Sequence, residues 1–178
     1  MKLPRYRTGD PRLDKEITEL IAHATKSGVN ADLVFEMIVS ALRMARDHAD
    51  RGDMKIASAA LKELRYSFSV FHPYRDQRKV SIFGSARTLP DDPLYDQTRR
   101  FAAAMSARGW MVITGAGPGI MSAGIEGAGA ENAFGVSIRL PFEAATSEFI
   151  ADDPKLINFR YFFTRKLTFL KESHGFAL

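Results

Sequence analysis

The sequence predicts an α/β domain, a parallel sheet covered by helices on both faces, preceded by a purely helical segment. Three observations carry this. From about residue 79 onward, short apolar runs alternate with segments of helical periodicity, the pattern of parallel strands joined by helical crossovers. Two of those runs end in glycine: Val80-Ser-Ile-Phe83 enters Gly84-Ser85-Ala86, and Trp110-Met-Val-Ile-Thr114 enters Gly115-Ala-Gly-Pro-Gly-Ile-Met121. The first third of the chain instead places its apolar residues at helical spacing throughout.

Taken in order, residues 12–25 put Leu13, Ile17, Leu20 and Ile21 on one helical face, and Ser27-Gly28 ends that segment. Asn30 is placed to cap a second helix whose stripe is Val34, Met37, Ile38, Ala41, Leu42 and Ala45. Arg51-Gly52-Asp53 interrupts it, and Asp53 is placed to cap a third helix running through Ala57, Ala60, Leu61, Leu64 and Phe68. His72-Pro73-Tyr74 and the polar run behind it mark a joint, which predicts a helical extension over 1–76 and a separate α/β domain over 77–178. That domain begins with a strand at 79–83. A helix over 94–108 follows, with Phe101, Ala102, Ala104 and Met105 turned inward, and Gly109 closes it. After the strand at 110–114, a helix over 118–130 is built from Ser122, Ala123, Gly124, Gly127 and Ala128, small enough to lie very close to the sheet. Residues 134–140 read as a strand, 162–172 as a helix, and Gly175 to Leu178 as the start of one more strand, on which the domain reads as unfinished.

Composition narrows the function. With 46% hydrophobic and 26% charged residues, the chain has the make-up of a soluble globular protein. No apolar run approaches the roughly 20 residues of a membrane helix, and no apolar segment follows the basic start, so a cytoplasmic protein is expected. The absence of cysteine excludes disulfides, thiolate catalysis and zinc–thiolate sites. The net charge of +4 comes from Lys and Arg interleaved with acids, the balance of a solvated, slightly basic surface. It fits a small anionic ligand as well as a nucleic acid, and no basic helix or nucleic-acid motif marks the latter, so neither a nucleic-acid nor a membrane partner is expected.

The glycine turn at 115–119 supplies the sharpest chemistry. Glycine lets a ligand approach the backbone, and the helix behind the turn offers unpaired N–H groups, so the junction suits a phosphate. Gly-x-Gly-x-x-Gly would need glycine where Ile120 stands, and Gly-Lys-Ser/Thr is missing, so neither a dinucleotide fingerprint nor a P-loop is present. Ser85, just after its own strand and glycine, could bond a phosphate or ribose oxygen. Arg165 and Lys166 sit among Phe162, Phe163, Leu167, Phe169 and Leu170, a setting that brings a cation to the sheet edge. His23, His48, His72 and His174 lack metal-ligand spacing, and Gly-x-Ser-x-Gly is absent, so no metal, no cofactor and no serine nucleophile are expected.

Four segments in register, Ile82-Phe-Gly-Ser-Ala-Arg87, Val112 through Met121, Gly135-Val-Ser-Ile-Arg-Leu-Pro-Phe-Glu143 and Tyr161-Phe-Phe-Thr-Arg-Lys166, resemble the Lonely Guy (LOG) family over about residues 79–178. The resemblance implies a Rossmann-like three-layer fold and a homodimer. It implies hydrolysis of the N-glycosidic bond of nucleoside 5′-monophosphates (AMP or a cytokinin riboside 5′-monophosphate) to free base and ribose 5-phosphate. It assigns Arg165 to catalysis and Gly84, Ser85, Gly115, Gly117, Gly119, Met121 and Lys166 to substrate binding. The older lysine-decarboxylase label on many members has no support here, since no pyridoxal-phosphate lysine can be picked out. The family hallmark Pro-Gly-Gly-x-Gly-Thr-x-x-Glu, which carries the catalytic glutamate, would begin just after Leu178, so weak activity is expected of these 178 residues, and Glu143 and Glu172 are the nearest substitutes. Ala116, Ser122 and Ile125 replace a usual Gly, Glu and Asn. The alternative function is a non-catalytic nucleotide-binding or interaction module.

Overall fold

The computed structural model describes residues 5–25, 28–139 and 147–178, and the chain divides into two compact units, Met1–Ser58 and Ala59–Leu178. In the first, α1 (Pro11–Ala24) starts at Asp10, whose carboxylate accepts from the Arg12 and Leu13 N–H groups, with Pro11 at the first helical position. Buried Asp14 accepts from both the N–H and the hydroxyl of Thr8, at 3.0 and 2.7 Å, and these bonds lower its pKa.

The second helix, α2 (Ala31–Arg46), packs Val34, Ile38 and Leu42 of the expected stripe half-buried against the core, but its most buried line is the neighbouring one. Ala31, Phe35 and Val39, each four apart, lie at the centre with Ile17 and Ile21, while Met37 is 49% and Leu20 58% exposed. Phe35 is the bulkiest apolar side chain of α2, and the helix is rotated to bury it. Asn30 does precede α2, but its backbone is left-handed (φ +59°) and its side chain makes no capping bond. The next helix, α3 (Arg51–Phe71), is capped by Asp50 rather than Asp53: Asp50 accepts from the Asp53 N–H at 2.8 Å and Asp53 accepts in return from the Asp50 N–H at 3.2 Å. The boundary between the two units falls inside α3.

The second unit holds a five-stranded parallel sheet. Its strands are β1 (Lys79–Ile82), β2 (Met111–Thr114), β3 (Ala133–Ile138), β4 (Leu156–Phe159) and β5 (Gly175–Ala177), in the order β4-β3-β2-β1-β5. Alternate strand residues feed two cores. Val80, Ile82 and Val112 pack with Ala102 of α4 (Pro93–Ser106) and Ile125 of α5 (Ile120–Ala128). Met111, Ile113, Phe134 and Val136 pack on the other face with Phe71 of α3 and Phe169 of α6 (Phe162–Glu172). This is the expected Rossmann-like three-layer arrangement.

The small residues of α5 have the expected consequence. A Cβ at Gly124 would lie 3.0 Å from Thr114 Cγ2 on the sheet, and one at Gly127 only 2.1 Å from the Arg99 carbonyl oxygen on α4. Two expectations need correction. Phe101 is 38% exposed and Ala104 is exposed too, so of the four expected residues α4 turns Ala102 fully and Met105 partly inward, and it buries Tyr95 besides. Strand β4, a four-residue edge strand interrupted by exposed Asn158, was not anticipated from the sequence.

Candidate functional site

Because β1 lies between β2 and β5, the chain leaves β1 toward one side of the sheet and returns to its other side only at β5. Ligands of open parallel sheets bind outside the carboxyl ends of the strands, at such a reversal. Both glycine turns lie at that edge, one after β1 and one after β2.

The two turns are locked together. Ser85 O accepts from the Ile120 N–H at 3.1 Å, and its hydroxyl accepts from the Arg87 N–H at 3.1 Å, a local turn rather than a helix cap. A Cβ at Gly84 would lie 2.5 Å from Ile120 Cγ2, and one at Gly119 2.3 Å from Ser85 O. Gly119 also has φ +67° and ψ −133°, a backbone region open essentially to glycine alone, and this delays the start of α5 to Ile120. Thr114 Oγ1 accepts from the Ala116 N–H, and Ala116 itself is left-handed (φ +59°), which gives a physical reason for the glycine usual there in LOG proteins. Among the described residues, the N–H groups of Gly117 and Gly119 meet no acceptor, and Gly119 is buried. A buried donor of that kind is costly, and a bound anion would satisfy it.

Arg165 reaches this turn from α6. Its Nε donates to Val136 O on β3 at 2.8 Å, and its guanidinium carbon lies 5.5 Å from the centre of the Phe169 ring one turn along. A Cβ at Gly115 would meet Arg165 Nη2 at 2.7 Å and Met121 Sδ at 2.6 Å, and one at Gly117 would meet Met121 Cε at 2.7 Å. The structure therefore brings Arg165, Met121, Gly115 and Gly117 together, and ties Gly84, Ser85 and Gly119 to the same edge. Lys166, next along α6, is exposed and has no partner among the described residues.

A cavity of about 380 Å³ opens beside β1 and β5, lined by Gly84, Ser85, Phe101, Ile120 and Ala177 among others. Its size is that of a small-molecule site. The exposure of Phe101 now has an explanation: its ring forms a wall of this cavity. Of the substitute carboxylates, Glu143 lies outside the described residues. Glu172 sits at the opposite edge, beside Lys79 at the start of β1.

A polar network missed by the sequence reading supports the turn from behind. The buried Tyr95 hydroxyl donates to Glu126 at 2.8 Å, and burial, followed by that bond, raises its pKa. The Ser122 and Ser147 hydroxyls are 2.9 Å apart, and the Ser147 N–H donates to Ala116 O at 2.8 Å. The partners are far apart in sequence, and no local motif marks them. Among the described residues there is no cluster of His, Asp or Glu able to hold a metal ion, and no helix is long and apolar enough to cross a membrane.

Residues 77–151 match the model of the SLOG cluster4 family. The SLOG superfamily includes the LOG family, so the match agrees with the resemblance in the motifs and points to a nucleotide-related function. No curated protein matches the chain.

Proposed function

We propose that this SLOG-like sheet domain binds a nucleoside 5′-monophosphate at the carboxyl edge of its sheet and hydrolyses the N-glycosidic bond, releasing base and ribose 5-phosphate. One observation carries the reading. The guanidinium of Arg165, fixed by Val136 O, lies against Gly115 in a turn whose Gly117 and Gly119 N–H groups meet no acceptor among the described residues. A fixed cation and two backbone donors at one place are what a phosphorylated sugar requires.

In this reading the phosphate takes the N–H groups of the 115–119 turn and the Ser85 hydroxyl, and the base occupies the apolar space toward Phe101 and Ile120. Arg165, held against Gly115, orients and polarises the ribose 5-phosphate part of the substrate as the glycosidic bond lengthens. The ribose becomes oxocarbenium-like, and a carboxylate must orient the attacking water. Glu172, at the far edge of the sheet, is not in position to be that carboxylate. We also propose a homodimer, on the exposed apolar residues Phe162, Phe163, Leu167 and Leu170 of α6.

The test is calorimetric titration with AMP, coupled to a chromatographic assay for free adenine. AMP should bind, and Arg165→Ala should weaken both binding and base release. A folded protein that binds AMP equally well with and without the Arg165 side chain would refute the assignment.

A further inference from the structure

The opposite edge of the sheet carries a second cavity, of about 400 Å³, that the nucleotide reading does not use. It lies where β1 and β5 begin and where α3 and α6 end, and its charged and polar lining is His72, Arg75, Lys79, Lys171, Glu172 and His174. Three basic side chains, Arg75, Lys79 and Lys171, thus share the lining with one carboxylate, and burial lowers the pKa of Lys79.

Part of this charge is used by the fold. Lys79 is 1% exposed, and its ammonium donates to Tyr74 O at 2.6 Å and Gln77 O at 2.9 Å. Lys171 pairs with Glu172 and lies over the Phe68 ring, 4.9 Å from its centre. Arg75 donates one N–H to His72 Nδ1 at 3.1 Å, and the Lys79 N–H donates to His174 Nδ1 at 3.2 Å. Both imidazoles therefore use Nδ1 as acceptor, which leaves the proton of the neutral ring on Nε2. The remaining N–H groups of Arg75, the ammonium of Lys171, and Nε2–H of His72 and His174 are all donors, and Glu172 is the lone side-chain carboxylate of the lining.

We propose that this cavity is a second ligand site, specific for a small phosphate monoester or inorganic phosphate, separate from the nucleotide site at the carboxyl edge. The surplus of donors over acceptors selects an anion, and an Arg–Lys pair backed by two imidazole N–H groups matches the several acceptor oxygens of a phosphate better than the two of a carboxylate. The carbonyl ends of α3 and α6 oppose an anion here. Each helix end carries only about half a unit of negative charge, so the two ends and Glu172 together come to about two units against three basic side chains.

Trp110, the single tryptophan, provides the reporter: its ring lies 6.4 Å from that of His174, edge to face, at the head of β2 and far from the glycine turn at the other end. The intact 178-residue chain is titrated with inorganic phosphate, and with sodium chloride at matched ionic strength, while Trp110 emission and the imidazole proton resonances are followed. Phosphate should change Trp110 emission saturably and shift His72 and His174 but not His23 and His48, and chloride should do neither. The double substitution R75Q/K171Q, at exposed positions, should weaken the response at least about tenfold, the worth of one charge-assisted bond. A folded protein with no saturable response, a response equal for chloride, or a response unchanged in R75Q/K171Q would overturn the proposal. AMP bound at the glycine turn would leave His72 and His174 unshifted, so the two sites are read separately.

Discussion

Gly119→Ala perturbs the junction on which the site depends, and its cost follows from the geometry. The added methyl would stand 2.3 Å from Ser85 O and 2.8 Å from the Ala86 carbonyl carbon, both backbone atoms. Reaching an ordinary contact of 3.4 Å means moving the loop after β1 by about 1 Å (3.4 less 2.3). That shift stretches the 3.1 Å bond from the Ile120 N–H to Ser85 O, worth about 1 kcal/mol. Alanine at φ +67°, ψ −133° adds about 1–3 kcal/mol of backbone strain. The expected loss is about 2–4 kcal/mol, a large share of the roughly 5–15 kcal/mol that stabilises a typical domain. Gly109→Ala is the internal control: Gly109 has φ +75° with nothing within 4 Å of a Cβ, so only strain, about 1 kcal/mol, is expected. Urea unfolding followed by Trp110 emission reports on the sheet unit. Equal stability losses in the two variants would refute the argument that the two glycine turns are locked together.

Gly115→Ala should cost less stability, because its methyl meets the ends of the Met121 and Arg165 side chains rather than backbone; it should displace the guanidinium and weaken AMP binding about tenfold or more, measured calorimetrically. Base release from AMP should fall on the order of 10²- to 10³-fold in Arg165→Ala and less than about tenfold in Lys166→Ala, because only Arg165 is fixed against the turn. The pKa of Asp14 is lowered in the fold, so its stabilisation is complete above the ordinary value of about 3.9 and is lost as pH falls through the lower folded value; Thr8→Val should flatten the acid limb followed by far-ultraviolet circular dichroism below about pH 4. Light scattering at micromolar concentration should report a dimer, and a stable monomer would contradict the reading of the exposed face of α6.

The strand–glycine–helix junctions were legible because their causes are local. A buried strand needs apolar residues, a turn with φ > 0 needs glycine, and a helix packed closely onto a sheet and a neighbouring helix needs small side chains, as Gly124 against β2 and Gly127 against α4 show. Edge strand β4 was not legible, since four residues with a polar one inside leave no period to count. The rotation of α2 toward Phe35 was hidden for another reason: its apolar residues cover more than one face, and only the packing partner chooses between them. At the site, the sequence marked Arg165 and the glycines as candidates but not their meeting, which depends on α6 returning across β3 to reach Gly115. The linked pairs Tyr95–Glu126 and Ser122–Ser147, and the basic cavity at the far edge, join residues distant in sequence, so no spacing rule could have found them.

The central claim, a nucleotide held by its phosphate at the 115–119 turn, is tested most directly by titrating AMP and adenosine into the protein and into Gly117→Val. A Cβ at 117 would meet only the end of the Met121 side chain, so Gly117→Val should fold while its side chain blocks approach to the turn. The account predicts that AMP binds at least about tenfold more tightly than adenosine and that this advantage disappears in Gly117→Val. Equal affinities for AMP and adenosine in the unmodified protein, or an AMP affinity unchanged in a folded Gly117→Val, would contradict it.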